Sequence, residues 1–249
     1  MSLSVRNLSI RFGGVAAVSE MDLDVGPGEI VGLIGPNGAG KTTFINCIAG
    51  VNKPDMGEAS WKGKPILGLT PAALLRLGVA RTFQSVVSLH DLTVLDVIKL
   101  GAAAHARHKG GFAAQFLGSD KARDQELCET LLAPLNLADV AYSQIQTLSY
   151  GQRKSVDLAR ALACEPELLY LDEPVAGLTL QEGLNMGAVI RSVRDRFGCS
   201  VVMVEHKMDV VMATCERITV MARGSRIFEG TPAETQRDPE VRRVYLGDA

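Results

Sequence analysis

Residues 35–43 carry the groups needed to hold a chain of phosphates. Their sequence, GPNGAGKTT, fits the pattern G-x-x-x-x-G-K-[ST]. Glycines are required in such a loop because backbone N–H groups must turn inward and approach phosphate oxygens closely. The pattern predicts that Lys41 reaches the β- and γ-phosphates of a nucleotide and that Thr42 binds magnesium. The residues expected to contact the nucleotide are Gly35, Pro36, Asn37, Gly38, Ala39, Gly40, Lys41, Thr42 and Thr43.

The sequence on either side gives this loop a structural context. Residues 29–35, EIVGLIG, indicate a buried strand, and residues 41–49, KTTFINCIA, indicate a helix that ends at Gly50. A strand, a glycine loop and a helix N-terminus bring amide donors and the positive end of the helix dipole to one point. We therefore favour a phosphate site over a glycine-rich turn followed by a chance Lys-Thr pair.

A second group of chemical residues follows the apolar run at residues 168–171. This run, LLYL, predicts a buried parallel strand, and Asp172, Glu173 and Pro174 come directly after it. Neighbouring acids at a strand end point in different directions, so the two carboxylates can take different chemical roles. We expect Asp172 to hold magnesium, directly or through water, and Glu173 to act as general base on the attacking water. The alternative, acids that cap a helix, is disfavoured downstream of a phosphate loop.

Between these motifs lies LSYGQ, residues 148–152, which is similar to the L-S-G-G-Q signature of the nucleotide-binding subunits of ABC transporters. With the other motifs, the resemblance covers essentially the whole chain. It implies that Ser149, Gly151 and Gln152 contact ATP held by the opposite subunit, so that a complete site requires two subunits. Tyr150 departs from the first glycine of the signature. An ordinary turn before the next helix is the alternative, which the order of the motifs disfavours.

The resemblance implies roles for further residues. Gln84, in RTFQ, matches the glutamine loop that touches magnesium and senses the membrane subunit, and His206 matches the switch histidine that hydrogen-bonds the γ-phosphate. Phe12, in RFGG, stands where the family stacks an aromatic ring on adenine, although a core phenylalanine is the alternative. Thr179 replaces the usual Asp or Asn of the family, and with Glu182 it predicts a helix-capping box.

Composition limits the other possibilities. The chain has 249 residues, 47% of them hydrophobic and 22% charged, which suffices for a well-formed core. It has no uncharged run approaching the roughly 18 residues of a spanning helix, so we expect a soluble, cytoplasmic protein. The five cysteines lack a C-x-x-C spacing, which argues against disulfides and zinc. A net charge of -2 offers no basic field for nucleic acid, which we do not expect as a partner.

These patterns predict an α/β fold in a single domain, residues 1–249. The nucleotide-binding core, residues 1–85 and 150–249, is expected to contain a mainly parallel sheet and an N-terminal antiparallel β subdomain, since residues 3–10 alternate apolar and polar side chains. Residues 86–149 are expected to form an inserted helical subdomain. Its helical pattern, residues 92–137, is interrupted at residues 109–112, and residues 121–132 predict a charged amphipathic helix. The resemblance implies that this subdomain docks a membrane permease.

Several segments resemble one branch of the family more closely. They are RFGG, ARTFQ, DEPVAGL, VEHKM and the tail DPEVRRVYLG at residues 238–247. They are similar to the ATPases of importers for branched-chain and related hydrophobic amino acids, amides or urea.

The branch implies ATP and Mg²⁺ as cofactors and a second ATPase subunit and integral permeases as partners. A periplasmic or extracellular substrate-binding protein would take part indirectly, and the chain would lie peripherally on the inner face of the cell membrane. The competing class is a soluble ABC ATPase of an assembly process such as iron–sulfur cluster biogenesis, which lacks the tail. A further alternative is a translation or DNA-repair ATPase. Such proteins normally carry two cassettes in one chain or an inserted coiled coil, and neither feature is found in this sequence.

Overall fold

In the computed structural model, which describes residues 3–82, 91–108 and 121–246, the strands form two sheets. The described strands are β1 (Leu3–Phe12), β2 (Val15–Val25), β3 (Ile30–Ile34), β4 (Met56–Trp61), β5 (Lys64–Pro65), β6 (Val79–Arg81), β7 (Leu168–Asp172), β8 (Ser200–Val204), β9 (Arg217–Ala222) and β10 (Ser225–Gly230).

Helices precede, follow and connect these strands. The described α-helices are α1 (Lys41–Ile48), α2 (Pro71–Arg76), α3 (Val94–His108), α4 (Lys121–Leu127), α5 (Tyr150–Leu162), α6 (Leu180–Phe197), α7 (Met208–Thr214), α8 (Pro232–Arg237) and α9 (Pro239–Leu246). A π-helical turn (Cys128–Leu132) and three short 3-10 turns (Ala133–Leu135, Ala138–Val140 and Ile145–Thr147) lie between α4 and α5. In the part of the chain that the structure describes, no helix has the length and apolar character needed to cross a membrane.

The larger sheet brings the predicted motifs to one edge. Its strand order is β10-β9-β3-β8-β7-β6, and every neighbouring pair is parallel except β9 with β10. Strands β3, β7 and β8 are buried along their whole length, as their apolar sequences predict. Leu33 on β3 and Asp172 on β7 both pair with Val204 on β8. The phosphate loop, the two acids and His206 therefore leave the sheet at its carboxyl edge, where α/β folds bind ligands.

The smaller sheet is antiparallel, with the order β2-β1-β4-β5. Along β1, Leu3, Val5, Leu8 and Ile10 are buried in a core that includes residues of α1 and the larger sheet. The predicted N-terminal antiparallel sheet and the mainly parallel core sheet are therefore both confirmed.

Helices α3 and α5 pack on the other side of the larger sheet. Val94, Val97 and Ile98 of α3 share a core with Leu169 and Leu171 of β7. The predicted amphipathic helix at residues 121–132 divides into α4 and the π-helical turn. The predicted interruption at residues 109–112 lies outside the described residues, and the subdomain boundaries at 86 and 149 stay predictions.

Candidate functional site

The loop between β3 and α1 depends on glycine at two positions. A Cβ on Gly35 would lie 2.1 Å from the carbonyl oxygen of Met221, and a Cβ on Gly40 would lie 2.3 Å from that of Ala17. Both glycines also have positive φ, 154° and 99°. By contrast, Gly38 (φ 79°) has nothing within 4 Å of the position of a Cβ. The loop is thus held closely by strands β2 and β9 and leaves open space in front of Gly38.

Lys41 lies inside this loop. Its side chain is almost closed to solvent, and Nζ donates hydrogen bonds to the carbonyl oxygens of Gly35 at 2.8 Å and Pro36 at 3.0 Å. Burial lowers the pKa of Lys41, and the carboxylates of Glu173 and Asp172 act in the opposite direction. The charges of the two acids thus act on the ammonium group of Lys41.

Asp172 ends β7 in a buried position and accepts a hydrogen bond on only one of its oxygens. Oδ2 accepts from Nη2 of Arg81 at 2.6 Å, and Nη1 of the same guanidinium donates to Oδ1 of Asn46 at 2.6 Å. Oδ1 of Asp172 is buried and has no hydrogen-bond partner among the described residues. Sequence analysis gave Arg81 and Asn46 no role, although Arg81 begins the RTFQ segment and Asn46 lies in the helix predicted after the phosphate loop.

The donors at this point fit magnesium. Mg²⁺ prefers oxygen ligands and is usually bound by one or two carboxylates together with substrate phosphates. The unpaired buried oxygen of Asp172 supplies one such ligand, and Thr42 stands exposed in the first turn of α1. Among the described residues, no three His, Cys, Asp or Glu side chains form a metal cluster of their own. Gln84, the third predicted ligand, lies outside the described residues.

Glu173 and His206 meet although 33 positions separate them in the chain. Oε1 of Glu173 lies 3.1 Å from Nε2 of His206, and both side chains remain partly exposed. Glu173 has a φ of 49°, the left-handed region that non-glycine residues rarely adopt and that is often found at functional sites. Its N–H donates to the carbonyl oxygen of Val204 at 2.9 Å. This backbone conformation aims the side chain at the histidine.

Glu205 is a site residue to which the sequence gave no role. It is buried, and Oε1 accepts from the N–H of Val175 at 2.8 Å while Oε2 accepts from the N–H of His206 at 2.9 Å. One carboxylate therefore ties the loop after β7 to the residue after β8. An acid directly after a buried apolar strand was the available signal.

The signature residues open helix α5 on the surface. Oγ of Ser149 accepts from the N–H of Gln152 at 3.2 Å, and Oε1 of Gln152 accepts from the N–H of Ser149 at 2.9 Å. No hydrogen bond between described residues joins Ser149 or Gly151 to the phosphate loop. The side chains of Ser149 and Gln152 therefore close a capping box at the N-terminus of α5.

Two aromatic side chains, one on β1 and one on α9, differ in their exposure. Phe12, at the end of β1, is 51% exposed, so the alternative of a core phenylalanine is wrong and its ring is free to stack. The hydroxyl of Tyr245, on α9, is buried beside the backbone of Gly35 in a geometry short of a full hydrogen bond. Burial raises the pKa of Tyr245 to about 12. The C-terminal helix thus reaches the start of the phosphate loop.

Comparison with known proteins agrees with this geometry. The ABC transporter family model matches residues 18–176, which is more than half of the chain. The chain belongs to the ABC transporter family. A second model, described as branched-chain amino acid ATP-binding cassette transporter, matches residues 225–249.

The relatives match over nearly their full length. The high-affinity branched-chain amino acid transport ATP-binding protein LivG of Escherichia coli K12 is 37% identical, covering 99% of this chain and 98% of the relative. BraF of Pseudomonas aeruginosa, with the same description, is 34% identical, with coverages of 99% and 98%. The lipopolysaccharide export system ATP-binding protein LptB of Escherichia coli K12 is 33% identical, also with coverages of 99% and 98%.

Solved structures show the same fold. The ADP conformation of MJ1267, an ATP-binding cassette of an ABC transporter, has a TM-score of 0.87 and 28% identity, covering 99% of both chains. The cbiO1 protein of Clostridium perfringens, part of the transporter complex cbiONQ, has a TM-score of 0.81 and 26% identity, with coverages of 98% and 94%.

These matches confirm the predicted family, the fold class and the activity. The chain is an ABC ATPase subunit that binds ATP and powers a transporter. Such subunits pair with a second ATPase and join membrane permeases. Nothing in the comparisons supports the alternative of an assembly ATPase.

Proposed function

We propose that this chain hydrolyses ATP for an importer of branched-chain or other hydrophobic amino acids, amides or urea. The match of residues 225–249 to a model described for branched-chain amino acid transporters carries the proposal. The names of LivG and BraF support it further. LptB is similar over the same length, so the comparison with a lipopolysaccharide exporter belongs in the test.

The nucleotide is proposed to bind with its phosphates on the loop between β3 and α1 and its adenine against Phe12. Lys41 meets the β- and γ-phosphates, and Thr42, Asp172 and Gln84 hold Mg²⁺. The assignment of Mg²⁺ is supported by Oδ1 of Asp172, a buried carboxylate oxygen without a hydrogen-bond partner among the described residues, which a cation would satisfy. When bound, Mg²⁺ neutralises charge that develops on the phosphate oxygens.

Hydrolysis is assigned to Glu173 and His206. Glu173 takes a proton from the attacking water. The water oxygen forms a bond to the γ-phosphorus while the bond between the γ-phosphorus and the β,γ-bridging oxygen breaks, which releases ADP. His206, 3.1 Å from Glu173, hydrogen-bonds the γ-phosphate, and Glu205 fixes its backbone. Ser149, Gly151 and Gln152 of a second subunit complete the site from the opposite side.

We further propose partners and a location that follow from this family. The second ATPase subunit is another copy of this chain or a paralogue, and integral permeases bind the helical subdomain, residues 86–149. A periplasmic or extracellular substrate-binding protein acts through those permeases, and nucleic acid takes no part. The chain then lies peripherally on the cytoplasmic face of the cell membrane.

The Glu173→Gln variant tests these assignments together. General-base loss typically slows turnover about 10²- to 10⁴-fold, whereas ATP binding should persist because the phosphate loop is intact. The purified variant should therefore form dimers with ATP. In cells that lack the native chain, it should fail to restore uptake of radiolabelled leucine, and in tagged form it should co-purify with permeases.

The matched control is Glu167→Gln, which removes an exposed carboxylate whose ion-pair partner among the described residues is Lys62. It should behave as wild type in every measurement. Turnover of Glu173→Gln within about three-fold of wild type would contradict the role of Glu173 as base. Normal leucine uptake without the chain, together with a defect in lipopolysaccharide export, would contradict the importer.

A further inference from the structure

The aromatic residue within the signature lies against the loop that follows the catalytic acids. Tyr150 is the first residue of α5, and its Cε1 atom lies 2.7 Å from the position that a Cβ on Gly177 would occupy. Gly177 also has a φ of +78°. The ring therefore covers the backbone of Gly177 directly, which leaves no space there for a larger residue. Tyr150 is 48% exposed, so it adds little to the core.

Lys154, one turn further along α5, connects this ring to the catalytic base. Its Nζ lies 5.8 Å from the centre of the Tyr150 ring and donates a hydrogen bond to the carbonyl oxygen of Glu173 at 3.0 Å. Ammonium groups within about 6 Å of an aromatic centre are attracted to the ring face. The tyrosine therefore helps to direct the lysine toward the peptide of Glu173.

The hydrogen bond from Lys154 reaches Glu173, whose backbone is strained. Glu173 keeps its left-handed φ of 49° because its N–H is bonded to Val204 and its carbonyl oxygen accepts from both Lys154 and the N–H of Ala176. Such conformations are strained and persist only where the surroundings hold them. Val204 and Ala176 contribute backbone groups to these hydrogen bonds, whereas Lys154 contributes its side chain. Lys154 also belongs to α5, the helix that begins at the signature.

We infer that Tyr150 and Lys154 are positioning residues that hold Glu173 of their own chain in its reactive orientation. The inference rests on the roles proposed above for Glu173 and Ser149. Ser149 caps the helix that carries Tyr150 and Lys154. A contact between Ser149 and ATP on the second subunit is therefore transmitted through α5 to Glu173, the base for this chain's own ATP. Occupation of one site thereby adjusts catalysis at the other.

Four variants at the two positions test this arrangement. Lys154→Met and Tyr150→Ala remove the contacts, while Lys154→Arg and Tyr150→Phe retain a donor and a ring. A misplacement of about 1 Å can cost on the order of 10²-fold in rate, so we expect kcat to fall about 10-fold in the first pair. The ATP concentration at half-maximal rate should change less than about two-fold, since the phosphate loop is not altered. The second pair should keep more than about half of the wild-type kcat.

A double-mutant cycle separates positioning from other roles. If Lys154 acts through Glu173, then Lys154→Met should change the residual rate of Glu173→Gln by less than about two-fold. The double variant should still form ATP-dependent dimers and should unfold at the temperature of Glu173→Gln alone. A residual rate that falls by the full 10-fold or so would show that Lys154 acts independently of the base and would overturn the inference.

Other outcomes are equally decisive. Wild-type kcat in Lys154→Met and Tyr150→Ala would refute the positioning role. Loss of ATP-dependent dimers in the double variant would instead place Lys154 in contact with the opposite nucleotide. Failure of the role proposed for Glu173 can be distinguished from failure of the positioning inference. In the former case Glu173→Gln would hydrolyse ATP at nearly the wild-type rate, whatever residue stands at position 154.

Discussion

Asp172 brings a buried negative charge to the site, and Arg81 balances it. The two side chains are 1% and 17% exposed, and their closest atoms are 2.6 Å apart. Taking charges out of water is costly, and their mutual attraction offsets that cost only while both partners are present. Removal of one partner leaves the other charge buried and uncompensated. The pair therefore makes stability depend on Arg81, a residue with no assigned role in the chemistry.

We predict that Arg81→Met lowers the free energy of unfolding by about 3–5 kcal/mol, the usual cost of breaking a buried ion pair. The control is Lys62→Met, which removes a cation from an exposed pair with Glu167, whose side chains are 53% and 55% exposed. That change should cost less than about 1 kcal/mol. Urea unfolding followed by circular dichroism measures both. Equal losses in the two variants would show that Arg81 does not compensate Asp172.

At this scale, the sequence singled out the residues proposed to act on the nucleotide, but it did not single out the residues that hold them in place. Lys41, Asp172 and Glu173 lie within short motifs whose spacing is set by one loop or one strand end. Arg81 and Glu205 act on groups that come from other strands of the sheet. Such pairings depend on strand order, which residue spacing alone does not reveal.

Among the elements, α6 shows how a departure from the family pattern is tolerated. Oγ1 of Thr179 accepts from the N–H of Glu182 at 3.3 Å, and Oε2 of Glu182 accepts from the N–H of Thr179 at 2.8 Å. The predicted capping box is therefore confirmed. A threonine serves the start of this helix as Asp or Asn would, since all three supply an oxygen acceptor at the N-cap.

We expect Thr179→Ala to destabilise the protein by about 1 kcal/mol, because it removes the acceptor for the N–H of Glu182. Thr179→Asp keeps an acceptor and should equal or exceed the wild type. Thermal unfolding of the three proteins at one concentration makes the comparison. If Thr179→Asp is destabilised as much as Thr179→Ala, the hydroxyl has a role other than capping.

The elements themselves were predicted unevenly. Strands β3, β7 and β8 followed from apolar runs, because burial on both faces leaves no room for polar residues. The single helix expected at residues 121–132 instead ends as α4 at Leu127 and continues as a π-helical turn. Pro134 follows closely, and proline removes the N–H that would continue a regular ladder. Apolar periodicity does not distinguish these wider and tighter turns.

For the molecule as a whole, the buried thiols link stability to pH. All five cysteines are free, and burial raises the pKa of Cys47 and of Cys199 to about 11. Burial also raises the pKa of Cys215 and of the Tyr170 hydroxyl. These groups lie in the cores on both sides of the larger sheet, so they remain protonated in the folded protein at pH values where the unfolded chain has released its protons.

We predict that stability falls as pH rises above about 8.5, the ordinary thiol pKa. The unfolded chain then binds fewer protons than the folded protein, so the free energy of unfolding decreases with pH until the folded pKa values near 11 are reached. Between about pH 8 and about pH 10, Cys47 and Cys199 should each contribute a loss of about 2 kcal/mol. Urea unfolding across this range, under reducing conditions, measures the slope.

The double variant Cys47→Ala, Cys199→Ala tests the cause. It should be less stable than the wild type at about pH 8, because two buried side chains are shortened and leave cavities. Over the same range it should nevertheless lose about 4 kcal/mol less, since two of the groups that couple unfolding to proton release are gone. Cavities alone would shift the two curves by a constant amount. Parallel curves would therefore assign the alkaline loss to groups other than these thiols.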